Sequence, residues 1–144
     1  MTMVMSRGGW FCGWVLACTF VVVGCSSSAP GAFTKRAVLA SCGEVEDRPV
    51  AVSAPGPRAA LDCFVSARTS GDSAEIVVVR FSKEGHPDRE WVRTLVGGAV
   101  EMWQHTTADS FGGDNMWTFA TCQALGFDQF GVPTPTGCAT PPRK

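Results

Sequence analysis

Apolar residues along this chain change their spacing several times, and each change marks an element. The first block is an uncharged run over residues 10–23, with Arg7 just ahead of it. It is shorter than the roughly 20 apolar residues a spanning helix needs. A basic residue followed by such a run is the layout of a signal peptide, here residues 1–24. Residues 25–32 are small and polar, with Pro30 among them, and read as a flexible tether. One small domain over residues 33–144 follows, with irregular segments at both its ends. In 33–46 the pattern is mixed, and Val38 and Leu39 could open a short strand or helix. Pro49, Pro55 and Pro57 make 48–57 an extended surface loop.

The next block has helical spacing. Ala60, Cys63, Phe64 and Ala67 recur at steps of three and four, and Leu61 and Val65 widen that face. Pro57 suits the first turn, where its missing N–H costs nothing. Ser70 and Gly71 stop the helix, with glycine fitted to a left-handed cap.

From Ala74 the period shortens to two. The stretch AEIVVVRF is dense in β-branched residues, with apolar side chains on both parities, so it reads as a central strand covered on both faces. Residues 84–88 form a turn. Two further strands, 91–96 and 99–105, are joined by Gly97-Gly98, and a two-glycine link is a hairpin signal because primed turns need positive φ. A two-residue turn there sets Leu95 opposite Val100, Arg93 opposite Met102 and Trp91 opposite Gln104. The face with Leu95, Val100, Met102 and Trp91 is then the core face. Residues 106–115 are a polar loop, and 116–122 alternate as a fourth strand. After Gln123 the chain is rich in Gly and Pro and reads as irregular. The fold expected is α+β: one helix on a four-stranded antiparallel meander.

Composition changes this picture in two ways. Net charge is −1, with acidic and basic residues interspersed, so no basic stripe for nucleic acid or polybasic membrane patch exists. Seven cysteines in a chain of 144 residues demand an account. The order Val22-Val23-Gly24-Cys25 resembles the lipobox of bacterial lipoproteins. That resemblance implies diacylation of Cys25, cleavage just before it, and a partner in the lipid bilayer at the outer face of the cytoplasmic membrane. An ordinary secretory cut after Ala29 is the alternative. Cys12 and Cys18 leave with the signal peptide. Cys42, Cys63, Cys122 and Cys138 remain as an even set in an exported chain, which implies two disulfides. Three pairings are possible. Nearness in sequence favours Cys42–Cys63 with Cys122–Cys138, and no two of the four are close enough for the usual zinc spacing.

Candidate chemistry gathers in the loops. His86 is near Asp88, and His105 is near Asp109; the first turn and the loop after the third strand lie at one end of a meander. Such groups could build an acid–base or metal site, or remain two solvated histidines. Asp109, Asp114 and Asn115 around Gly112-Gly113 offer oxygen ligands but lack the spacing of an EF-hand. No Gly-x-Ser-x-Gly elbow occurs. No cofactor is implied. Phe111, between these groups, is a candidate anchor for a partner, and His86, Asp88, His105, Asp109, Phe111 and Asp114 together form the candidate binding surface. Trp91, Trp103 and Trp117 could line an aromatic face for a sugar or an apolar partner, or serve as core.

Beyond the lipobox, the order Ala60, Cys63-Phe64, Glu84-Gly85, Pro87, Gly97-Gly98, Val100, Thr107, Asp109, Phe111-Gly112, Trp117 and Cys122 resembles a group of small secreted Gram-positive lipoproteins. These carry a Glu-Gly-Asp-Pro-type domain with no assigned activity. This chain has His86 where that pattern has Asp, and Asp88 where it has an apolar residue. With no catalytic arrangement standing out from the residues, the function expected is a non-catalytic binding or envelope-accessory module, whose partner is an envelope protein or a small ligand. The alternative class is a small hydrolase or metal-dependent enzyme using His86, His105 and the nearby Asp residues.

Overall fold

A computed structural model describes residues 29–48, 54–107 and 116–140. A one-turn helix, α1 (Gly31–Thr34), leads into strand β1 (Ala40–Glu46). The main helix, α2 (Pro55–Ser70), is followed by β2 (Ala74–Phe81), β3 (Pro87–Thr94), β4 (Val100–Thr106) and β5 (Met116–Cys122). Two short strands, β6 (Ala124–Phe127) and β7 (Pro133–Thr136), complete the chain. The class is α+β, with one main helix on a mostly antiparallel sheet.

The sheet has five strands rather than four, in the order β1-β2-β3-β4-β5. β2 to β5 form the expected meander, and β1 is added parallel to β2. A parallel neighbour needs a crossover connection, and α2 supplies it, packing on β1 and β2. β1 gave no periodic signal because Val45 is its single buried residue. β6 and β7 pair separately as a two-stranded unit. Pro133 and Pro135 lie within β7, and a strand with a free edge tolerates them because its outward positions need no donor. α2 starts two residues ahead of Pro57 and ends as expected, with Gly71 left-handed at φ 77°.

The β3–β4 hairpin differs from expectation by one residue. The Gly98 N–H bonds Leu95 O, and the Leu95 N–H bonds Ala99 O, so the loop holds Val96 as well as the two glycines. Thr94 therefore faces Val100, Val92 faces Met102, and Trp91 faces Trp103. A slip of one residue exchanges the faces of a strand. Val92, Thr94 and Val100, not Trp91 and Leu95, point to the helix side and are buried there. β2 has buried residues of both parities, as its pattern required, with Val79 on the face away from α2.

On the α2 side, Leu61 and Phe64 pack with Val45, Ile76, Val78, Val92 and Val100, and Leu125 and Val132 bring the β6–β7 unit into the same cluster. Phe64 is wholly buried, while Val65 and Cys63, expected on the inner face, are exposed. Both disulfides pair near neighbours. Cys42–Cys63 ties β1 to α2, and Cys122–Cys138 ties the end of β5 to the segment after β7.

Arg80 joins four parts of the chain. Its guanidinium donates to Glu90 on β3 at 2.9 Å, to Asp47 beyond β1, and to Pro133 O in β7 at 3.2 Å. Burial works against its charge, but Glu90 and Asp47 together outweigh burial and hold its pKa above the ordinary arginine value.

Candidate functional site

The loop end is more tightly built than a pair of solvated turns. The Ser82 hydroxyl accepts the N–H groups of Glu84 and His86, and Ser82 N–H bonds His86 O at 2.9 Å. Gly85, at φ 87°, lets this turn close. Asp88 accepts the Thr107 N–H at 3.0 Å, while the Thr107 hydroxyl donates to Pro87 O at 2.6 Å. Asp88 thus holds the chain where it leaves β4. His105 faces Arg89 on β3 and Trp117 on β5, so it belongs to the sheet face opposite Asp88. Its ring stacks on Trp117 at 4.6 Å. The sheet separates Asp88 from His105, and they form no common cluster. Asp109, Phe111, Asp114 and Cys25 lie outside the described residues. Among the described residues no three His, Cys, Asp or Glu side chains gather to hold a metal ion.

Three tryptophans come together instead on the face away from α2. In the observed register, Trp91, Trp103 and Phe119 stand opposite one another on β3, β4 and β5, with His105 and Trp117 one step along. Trp91 and Trp117 stack at 5.1 Å, and Trp103 meets Phe119 at 4.6 Å. Phe33 of α1 lies on top, 4.9 Å from Trp91, 5.5 Å from Trp103 and 4.4 Å from Trp117. Offset and edge contacts at these distances are the favourable aromatic geometries.

Charged side chains fix the strap that carries Phe33. Arg36 makes a two-pronged contact with Glu75 at 3.1 and 3.0 Å and donates to Phe33 O at 2.9 Å. Arg93, with 4% of its side chain exposed, donates to Glu101 and to Ala37 O, each at 2.6 Å. Its Nε is 3.2 Å from Glu75, close enough for an ion pair but not aligned as a hydrogen bond. Two arginines and two glutamates thereby neutralise one another beneath residues 33–37.

Beside the strap a groove of about 590 Å³ opens. Pro30 and Ala32 form one wall, Thr140 another, and Trp103, Trp117 and Phe119 line it. The indole N–H groups of Trp103 and Trp117 are buried and have no hydrogen-bond partner among the described residues. The signal for this face was present in the sequence, because all three tryptophans are at odd positions of adjacent antiparallel strands. An aromatic face was one of the two uses expected for them, but the two-residue turn assumed at Gly97-Gly98 placed Trp91 and Trp103 on opposite faces and counted against it.

The chain matches no family model, no curated protein and no solved structure. Among the described residues no helix is long and apolar enough to cross a membrane.

Proposed function

We propose that this chain is a lipid-anchored extracytoplasmic protein that works as a non-catalytic binding module of the cell envelope. The observation that carries the reading is the order Val22-Val23-Gly24-Cys25 directly ahead of a domain closed by two disulfides. Disulfides persist in oxidising compartments outside the cytosol. Two acyl chains on Cys25 give stable attachment, whereas one gives only marginal binding. The kinship to small Gram-positive lipoproteins of Glu-Gly-Asp-Pro type is part of the same proposal. Binding is favoured over catalysis because two of the groups suited to acid–base work, Asp88 and His105, have other engagements. Asp88 caps a backbone N–H, and His105 is stacked in the aromatic face.

The test is Cys25→Ser in cells fed an alkyne palmitate analogue. The parent protein should carry the label and sediment with membranes; the variant should lose the label and leave the membrane fraction or persist as precursor. A variant that is still processed and membrane-bound overturns the anchor.

A further inference from the structure

We propose that the groove beside the strap, lined by Trp103, Trp117 and Phe119, binds a neutral oligosaccharide bearing acetamido groups; this rests on the binding-module reading and gives that module a ligand class. Two observations point to a sugar rather than a hydrocarbon chain. The lining is aromatic, and aromatic rings pack against the apolar C–H faces of pyranose rings. Two of the lining residues carry indole N–H donors that are buried and have no acceptor among the described residues. A buried donor left unpaired is costly. An acyl chain that reached these donors would pair neither. A sugar brings hydroxyl and acetamido oxygens that accept from both while its ring faces lie on the indoles.

Charge and size fit the same class. Arg36, Arg93, Glu75 and Glu101 at the other end of the face are spent on one another, and among the described residues no charged side chain lines the groove. The groove volume of about 590 Å³ is in the usual range for a small-molecule site. Both indole nitrogens are closed to solvent, so binding needs a wall to shift. The wall at hand is Pro30 to Ala32 at the start of α1, ahead of the contacts that hold Arg36 and Ala37, in a single helical turn with no buried residue. Phe33, which already rests on all three tryptophans, shows that this face accepts a ring laid over it.

The three tryptophans after Cys25 all lie on this face, so their emission reports on it alone. The full-length mature protein would be titrated with the β-1,4-linked tetramer of N-acetylglucosamine, and separately with dodecanoic acid. A saturable change in emission with the tetramer is expected. Trp117→Phe and Trp103→Phe keep a ring and remove one donor each. Each should weaken binding about tenfold, the loss of one neutral hydrogen bond. Phe127→Ala, on exposed β6, should bind as the parent does. Indole ¹⁵N–H resonances of the unsubstituted protein give a second reading that does not depend on how a variant folds: two of the three should move on binding. No response to the tetramer, a response to dodecanoic acid alone, or full affinity in both Trp→Phe variants overturns the proposal. None of these outcomes touches the anchor, which the Cys25→Ser fractionation reads separately.

Discussion

Phe33 packs on Trp117 with ring centroids 4.4 Å apart, joining the first described helix to the last strand of the main sheet. Phe33 is half-buried, so its removal should cost less than the roughly 3–5 kcal/mol of a fully buried Phe. Phe33→Ala is expected to lower stability by about 2 kcal/mol and to shift tryptophan emission to the red as water reaches the indoles. Thermal melts and emission spectra check both. An unchanged spectrum would show that the strap does not shield this face.

Phe64 sets the scale for the core, since it is wholly buried between α2 and the sheet. Phe64→Ala should cost about 3–5 kcal/mol. Phe111, the candidate partner anchor between β4 and β5 in sequence, should cost little on Phe111→Ala. Melting temperatures of the two variants side by side decide the matter. A drop for Phe111→Ala comparable to that for Phe64→Ala would make Phe111 packing, not an anchor.

Peptide mapping without reductant should recover Cys42 joined to Cys63 and Cys122 joined to Cys138. The second bridge closes a loop whose ends are 16 residues apart. On the chain-entropy model, the double variant Cys122→Ala/Cys138→Ala should lose about 3 kcal/mol. Chemical denaturation measures that loss. A peptide linking Cys63 to Cys122 would contradict both the pairing and the packing of β1 on α2.

Arg80→Met should destabilise by about 1–3 kcal/mol, because it leaves the buried Glu90 carboxylate without its guanidinium partner. The sign of the pH dependence follows from the raised pKa. A group whose folded pKa lies above its unfolded one contributes fully below the unfolded value and loses that contribution only as pH rises through the folded value. For an arginine that window is strongly alkaline. The stability difference between parent and Arg80→Met should therefore be flat from about pH 6 to pH 9. A steep change within that interval would assign the effect to another group.

The meander, the main helix and the disulfide pairing were legible because each rests on a strong local signal. The run AEIVVVRF has no other use than a covered strand, and Gly71 sits where a helix must turn left-handed. β1 was not legible, since a strand with one buried residue on a sheet edge needs no hydrophobic alternation. β6 and β7 were masked by Gly126, Pro133 and Pro135, which in most strands would argue against pairing. The aromatic face was named as one use of the three tryptophans but could not be assembled, because of a single residue, Val96, whose place in the turn decides which side of the sheet Trp91 occupies. The Asp88–Thr107 bond and the Arg36–Glu75 contact depend on residues brought together only by the fold, and no spacing announces them.

The parallel placement of β1 also implies an order of assembly. β2 to β4 are linked by short hairpin turns, so their pairings close small loops, whereas β1 is separated from β2 in sequence by the whole of α2. Pairings that close longer loops carry a larger entropy cost and come later. In refolding from the reduced state, pulsed alkylation should find Cys42 and Cys63 reactive after the β2–β3 amides are already protected; the reverse order would refute this sequence of events. The Cys42–Cys63 bond is then a seal set on a finished sheet, and a chain that oxidises these two thiols marks itself as having completed its last strand.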